Sequence, residues 1–250
     1  MSAHRHTQFP ASRRSVDVRC AVSAQVFDRE RRVLTVGILL AIASFAVEGM
    51  GVVPALPTAV RELGGLPLFG WAFSAFMLAW LVGTTAGGLW ADGRGPRPPM
   101  AAGLGAFGAG LLLAGSAHGM FQFLAGRALQ GAGGGAVIAA AYVAIARGYP
   151  DAIRPRMMAL TASTWILPAI GGPAISGAIT QWIGWRYVFA GVVPFLALTA
   201  AVLLPQLRRF DVRAPLARGG RMVAALCAAL GCGLLVASSG ARWIGIAMLD

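Results

Sequence analysis

Long apolar blocks separated by short polar stretches set the pattern of this chain. Val33–Pro57, Leu68–Ala91, Pro99–Ala117, Met120–Ala146, Met157–Trp182, Tyr187–Leu204 and Met222–Ser239 are each about as long as a bilayer span, which takes ~20 residues. An eighth apolar run begins at Trp243 and meets the end of the sequence at Asp250. The apolar residues fall in blocks and not in strand-like alternation. The expected class is therefore all-α, a polytopic transmembrane helix bundle. An open sheet does not fit, because its edge groups find no partners in lipid.

Composition agrees with the pattern. Hydrophobic residues make up 57% of the chain and charged residues 12%, roughly half the charge of an ordinary soluble domain. All 21 basic residues are arginine, and the net charge is +12. That charge alone would suit nucleic acid, but its placement points elsewhere. Seventeen arginines lie in the N-terminal tail and in the 92–98, 147–156 and 205–221 loops. The opposite loops hold Arg61, Arg186 and Arg242, and Arg127 sits inside a span. The positive-inside rule then puts the N-terminus in the cytoplasm, so we expect a multi-pass plasma (inner) membrane protein with no nucleic-acid partner. Residues 1–32 form an arginine-rich tail, 33–205 a six-helix bundle, 206–221 a basic cytoplasmic linker, and 222–250 a seventh span with the start of an eighth. The "SRRSV" pair in the tail lacks the apolar run that an export signal places just after its arginines. Cys20, Cys227 and Cys232 are read as free thiols, with no metal site.

Two charges inside the spans call for an explanation. Counted along ideal helices, Arg127 lies ~10 Å below the outer surface and Glu48 ~8 Å below it. Buried ionisable groups in a membrane usually face the bundle interior and pair. Glu48 and Arg127 are therefore expected to share one polar cavity, with Gln130 one turn from the arginine on the same face. The alternative is that Arg127 bonds backbone carbonyls of a neighbouring helix while Glu48 caps a break near Gly49, Gly51 and Pro54. Small residues recur at helical spacing: Gly131 with Gly135, Gly83 with Gly87 and Ala91, Gly172 with Ser176, and Ala169 with Pro173 and Gly177. Such stripes allow close backbone approach. Pro168 and Pro173 in one span predict a bend there.

Three motifs resemble those of the major facilitator superfamily, in the order and on the helices that family uses. "GGLWADGRGPR" (87–97) resembles its G-x-x-x-D-R-x-G-R-R loop at Gly88, Asp92, Gly95 and Arg97, with Gly93 and Pro96 in place of two basic residues. "RALQGAGGG" (127–135) resembles its R-x-x-Q-G-x-G motif at Arg127, Gln130, Gly131 and Gly133. "GGPAISG" (171–177) resembles the Gly-Pro motif of drug/proton antiporters at Gly172, Pro173 and Gly177, with Ser176 replacing a glycine. "GWRYVFAGVVP" (184–194) resembles the start of their sixth span. The resemblance covers about residues 33–205 and implies a family-type N-terminal six-helix half, here followed by a seventh span and a truncated eighth.

What the resemblance implies is secondary active transport by alternating access, with proton-coupled efflux of small organic molecules. The expected partners are a small organic substrate, the lipid bilayer and a missing C-terminal half. No cofactor is expected beyond a proton gradient. In the family the loop carrying Asp92 and Arg97 helps lock one conformation, the span-four arginine is linked to proton movement, and the proline-glycine helix to antiport. The ending "WIGIAMLD" stops inside an apolar run, so a truncated or incomplete product is expected. Two alternatives stand beside export: a solute importer of the same fold, and a fragment that does not transport. An enzyme is not expected, because no metal cluster, phosphate loop or nucleophile–base spacing is present. His118, alone in an outer loop, is read as solvated.

Overall fold

A computed structural model describes residues 26–29, 31–210 and 231. The expected tail before residue 26, most of the linker, the seventh span apart from residue 231 and the start of the eighth lie outside the described residues. Within them, six helical segments are long and apolar enough to cross a membrane, and each matches an expected block. They are α1 (Arg32–Glu62), α2 (Phe69–Arg94), α3 (Arg97–Gly115), α4 (Met120–Gly148), a fifth span built from α5 (Arg154–Ser163) and α6 (Ile166–Trp182), and a sixth from α7 (Arg186–Ala190) and α8 (Val192–Leu207). A short 3-10 turn, Leu66–Leu68, leads into α2, and another, Arg208–Phe210, follows α8.

The prolines explain where two spans are broken. Pro168 has no N–H to offer the Thr164 carbonyl four residues back, and the fifth span is interrupted at Thr164–Trp165. Pro194 stands in the same relation to Ala190, and the sixth span is interrupted at Gly191. Pro194 was not among the residues that predicted a bend. Pro173 lies within an α6 that stays helical from Ile166 to Trp182, so the bend belongs to Pro168. Helix α1 is also continuous from Arg32 to Glu62 despite Pro54 and Pro57. There is no break near Gly49 and Gly51 for Glu48 to cap.

Helices α1 and α4 are the most buried spans, whereas α2 and the fifth span are the least. Glycines let α4 lie against two neighbours at once. A side-chain carbon on Gly131 or Gly135 would strike the α2 backbone at Phe76 or Trp80, and one on Gly133 would strike α3 at Phe107. Gly83 and Gly87 on α2 meet Ala132 and Ala136 of α4 in return. The expected stripes on these two helices are thus contact seams. On α6 the result divides. Gly172 sits against Met50 of α1, and the Ser176 hydroxyl donates to the Gly51 carbonyl. The other stripe does not pack: Ala169 and Pro173 are exposed and Gly177 faces open space.

Each end of the bundle is tied by polar contacts. At the end where α1 begins, Tyr149 and Thr35 share a hydrogen bond of 2.7 Å, and the Thr35 hydroxyl lies 2.8 Å from the Val26 carbonyl. Burial pushes the Tyr149 phenol above its ordinary value, against the opposing hydrogen bond from Thr35, so the group stays neutral. At the opposite end Glu62 accepts from Trp185 Nε1 at 2.7 Å and from Arg186 at 3.2 Å. Arg186 also donates to the Ala117 carbonyl at 3.1 Å and lies over the Trp185 ring. Trp185, Phe123 and Phe189 meet edge to face beneath.

Candidate functional site: a buried ion pair and an adjoining cavity

Glu48 stands midway along α1 and Arg127 two turns into α4. Both are buried, at 1% and 3% exposure. Arg127 Nη1 forms an ion pair with Glu48 Oε1 and donates to Gln130 Oε1 at 2.8 Å. Arg127 Nε lies 3.4 Å from the Ala72 carbonyl of α2, and its guanidinium carbon is 4.3 Å from the centre of the Phe76 ring. Arg127 therefore pairs with Glu48 and also bonds a neighbouring helix backbone, but of the three residues expected to share one polar cavity only Glu48 lines the cavity described below. The spacing of Arg127 and Gln130, three residues apart, puts both on one helix face. Directly around them Phe45 stacks on Phe76 and Trp80 and meets Trp165 edge-on. Trp165 reaches this cluster from the interruption in the fifth span.

The pair is half satisfied. Glu48 Oε2 and Gln130 Nε2 are buried and have no hydrogen-bond partner among the described residues. Such groups are uncommon in folded proteins and mark places of function or of missing water and ligand. Glu48 also lines a cavity of about 450 Å³ enclosed by α1, α6, α7 and α8. No cluster of metal-ligating side chains occurs among the described residues.

The loop motif is assembled differently from the pair. Gly95 ends α2 with φ of 89°, a value that favours glycine, and Arg97 starts α3 two residues later. Asp92 is exposed, and its backbone carbonyl accepts from Arg147 Nη2 at 2.9 Å. Gly88 lies 3.9 Å from the Ala139 side chain, measured from an ideal Cβ. Sequence reasoning did not single out Arg147, which joins the C-terminal end of α4 to that of α2. It also passed over Glu62, and it quoted Trp185 only within the 184–194 stretch without giving it a partner.

Comparison with known proteins bears on the class. The model of the Major Facilitator Superfamily matches residues 34–248. The chain belongs to that superfamily. It is 32% identical to Multidrug resistance protein 3 of Bacillus subtilis over 66% of this chain and 32% of that protein. It is 30% identical to a probable multidrug-efflux transporter of Mycobacterium tuberculosis, over 70% of this chain and 37% of the relative. The chain thus spans about a third of the length of these curated relatives. Its fold is similar to that of a crystal structure of a peptide transporter, POT, at a TM-score of 0.59 and 19% identity, covering 86% of this chain and 46% of the other. This superfamily member is an integral membrane protein of a transporter family.

Proposed function

We propose that the chain is the first six-helix unit of a proton-coupled exporter of small organic molecules, seated in the plasma membrane with its N-terminus in the cytoplasm. The observation that carries this reading is the buried Glu48–Arg127 pair, which bridges α1 and α4 at one depth in the bundle. A proton arriving on Glu48 removes the anion that faces Arg127. A buried cation without its partner costs about 3–5 kcal/mol. Inverting a two-state population from 1:99 to 99:1 takes about 5.5 kcal/mol. Protonation of this one carboxylate is therefore of the right size to drive most of a conformational switch. Opening the site to water solvates the freed arginine, and loss of the proton on the other side restores the pair.

Alternating access of this kind needs a second unit across the substrate site. The little-buried faces of α2 and of the fifth span are where it docks. The exposed Asp92, held by Arg147 through its backbone, is placed to touch that unit in one of the two conformations. Export is favoured over import by the names of both relatives, which are multidrug transporters. The test uses energised inside-out vesicles from cells that produce the protein, with a panel of neutral, cationic and anionic fluorescent dyes. Export predicts dye accumulation inside the vesicles that stops when the pH gradient is collapsed. Accumulation in right-side-out vesicles instead would identify an importer.

A further inference from the structure

Among the described residues four rings meet Phe45, and three of them stand inside continuous helices: Phe76 and Trp80 on α2 and Phe107 on α3. The fourth, Trp165, stands where the fifth span is interrupted. Its N–H reaches back only three residues, to the Ala162 carbonyl at 3.3 Å. The hydroxyls of Thr161 and Thr164 each donate to a carbonyl three residues earlier, at 2.7 Å. The turn thus holds together without the bond that Pro168 removes. A short non-helical turn between two helices is where a change of angle is absorbed most easily.

The rings form a continuous row from that turn to the ion pair. Trp165 meets Phe45 edge to face at 5.8 Å, Phe45 stacks on Phe76 at 5.9 Å, and the Arg127 guanidinium carbon lies 4.3 Å from the Phe76 ring centre. Phe45 also precedes Glu48 by three residues, which puts both on one face of α1. Phe45 has little room to yield. It is buried, and a side-chain carbon on Gly134 of α4 would strike its ring. When Glu48 is neutral, the attractions left to Arg127 are the Phe76 face, the Gln130 oxygen and the Ala72 carbonyl. These belong to α2 and α4 and none to α1. A desolvated cation is held by a ring face, so the guanidinium draws toward Phe76 and the stack with Phe45 shifts. Trp80 and Phe107 are held by their helices, whereas Trp165 stands on a turn and can follow. We infer that Trp165 is a positioning residue: through Phe45 and Phe76 it passes the charge state of the Glu48–Arg127 pair to the bend in the fifth span. The inference rests on the proposed role of that pair in coupling.

A row of packed rings is a route only if a change at one end moves the other. The seven tryptophans are replaced by fluorotryptophan in the full chain, held in lipid nanodiscs. Each fluorine resonance is assigned by its loss in a Trp→Phe variant. Glu48→Gln removes the anion at nearly constant volume, and Arg127→Gln perturbs the pair from the other side should the first variant fold poorly. The expected result is that the resonances of Trp80 and Trp165 move, while that of Trp182, exposed at the far end of the fifth span, stays. Phe45→Leu cuts the row. In that background the same Glu48→Gln change should leave Trp165 in place, whereas a field acting directly through space would still move it. A Trp165 resonance that stays while Trp80 moves, a Trp165 shift that survives Phe45→Leu, or no shift at either ring would each overturn the assignment. Neither substrate nor gradient enters this measurement. Its failure leaves the proton-coupling proposal standing, and the dye assays decide that proposal separately.

Discussion

Arg127 meets its anion and Gln130 through one nitrogen, Nη1, while Nε points at the Ala72 carbonyl. A lysine has no second donor in that fixed relation and does not spread its charge over the Phe76 ring as a planar guanidinium does. Arg127→Lys should therefore keep the charge and still lower gradient-driven transport by at least tenfold, with the protein folded by size-exclusion chromatography. The pairing of Glu48 with Arg127 should also appear as coupling. The Glu48→Gln and Arg127→Gln double variant should be more stable than the sum of the two single losses predicts, by about 1–3 kcal/mol. Thermal unfolding of the four proteins in detergent measures this. Strict additivity would contradict a direct pair. This contact was legible in the sequence because a charge in hydrocarbon has few ways to be satisfied. The meeting of Glu62 with Trp185 was not, since groups at the end of a span have water as an alternative, and only the packed structure shows that they meet.

At the scale of the helix, the seams separate positions that look alike in sequence. Gly131 and Gly177 both belong to small-residue stripes, yet one is pressed on the α2 backbone and the other faces open space. Gly131→Leu should lower stability by about 3 kcal/mol or more, at or above the usual range for overpacking. Gly177→Ala should change it by no more than about 0.5 kcal/mol. Thermal unfolding of the two variants compares them directly. Periodicity places both stripes correctly on their helices but does not say which stripe finds a neighbour. The ends of the spans were legible to within a few residues, because the change from apolar to arginine-rich sequence is abrupt. The interruption at Gly191 was not anticipated. Pro194 acts through a carbonyl four residues back, and its position near the start of a span gave no separate signal.

Across the whole molecule, α4 joins α2 and α3 through glycines, while α1 carries the fifth and sixth spans through Ser176, Ser44 and Thr199. The Glu48–Arg127 pair crosses between these two groups of helices. At one end of the bundle Arg186 does so, donating to the Ala117 carbonyl beyond α3 while Glu62 holds it to the end of α1. Glu62→Gln should weaken this clamp modestly, by about 1 kcal/mol, since the pair with Arg186 is partly exposed. Its readout is again thermal unfolding, with gradient-driven transport retained. The sequence led to the expectation of a polar cavity shared by Glu48, Arg127 and Gln130; the cavity beside Glu48 is instead lined mostly by apolar residues of α6 and the sixth span, a meeting of elements that no single helix's pattern shows. The central claim is that Glu48 carries the coupling proton, and it is tested most directly by comparing two modes of transport in Glu48→Gln. Vesicles with the wild type and the variant are assayed with a dye that the export assay shows to be transported, once for accumulation driven by a pH gradient and once for exchange of dye for dye without one. Our account predicts that the variant loses gradient-driven accumulation while keeping exchange. A variant that still accumulates dye in response to the gradient would contradict it.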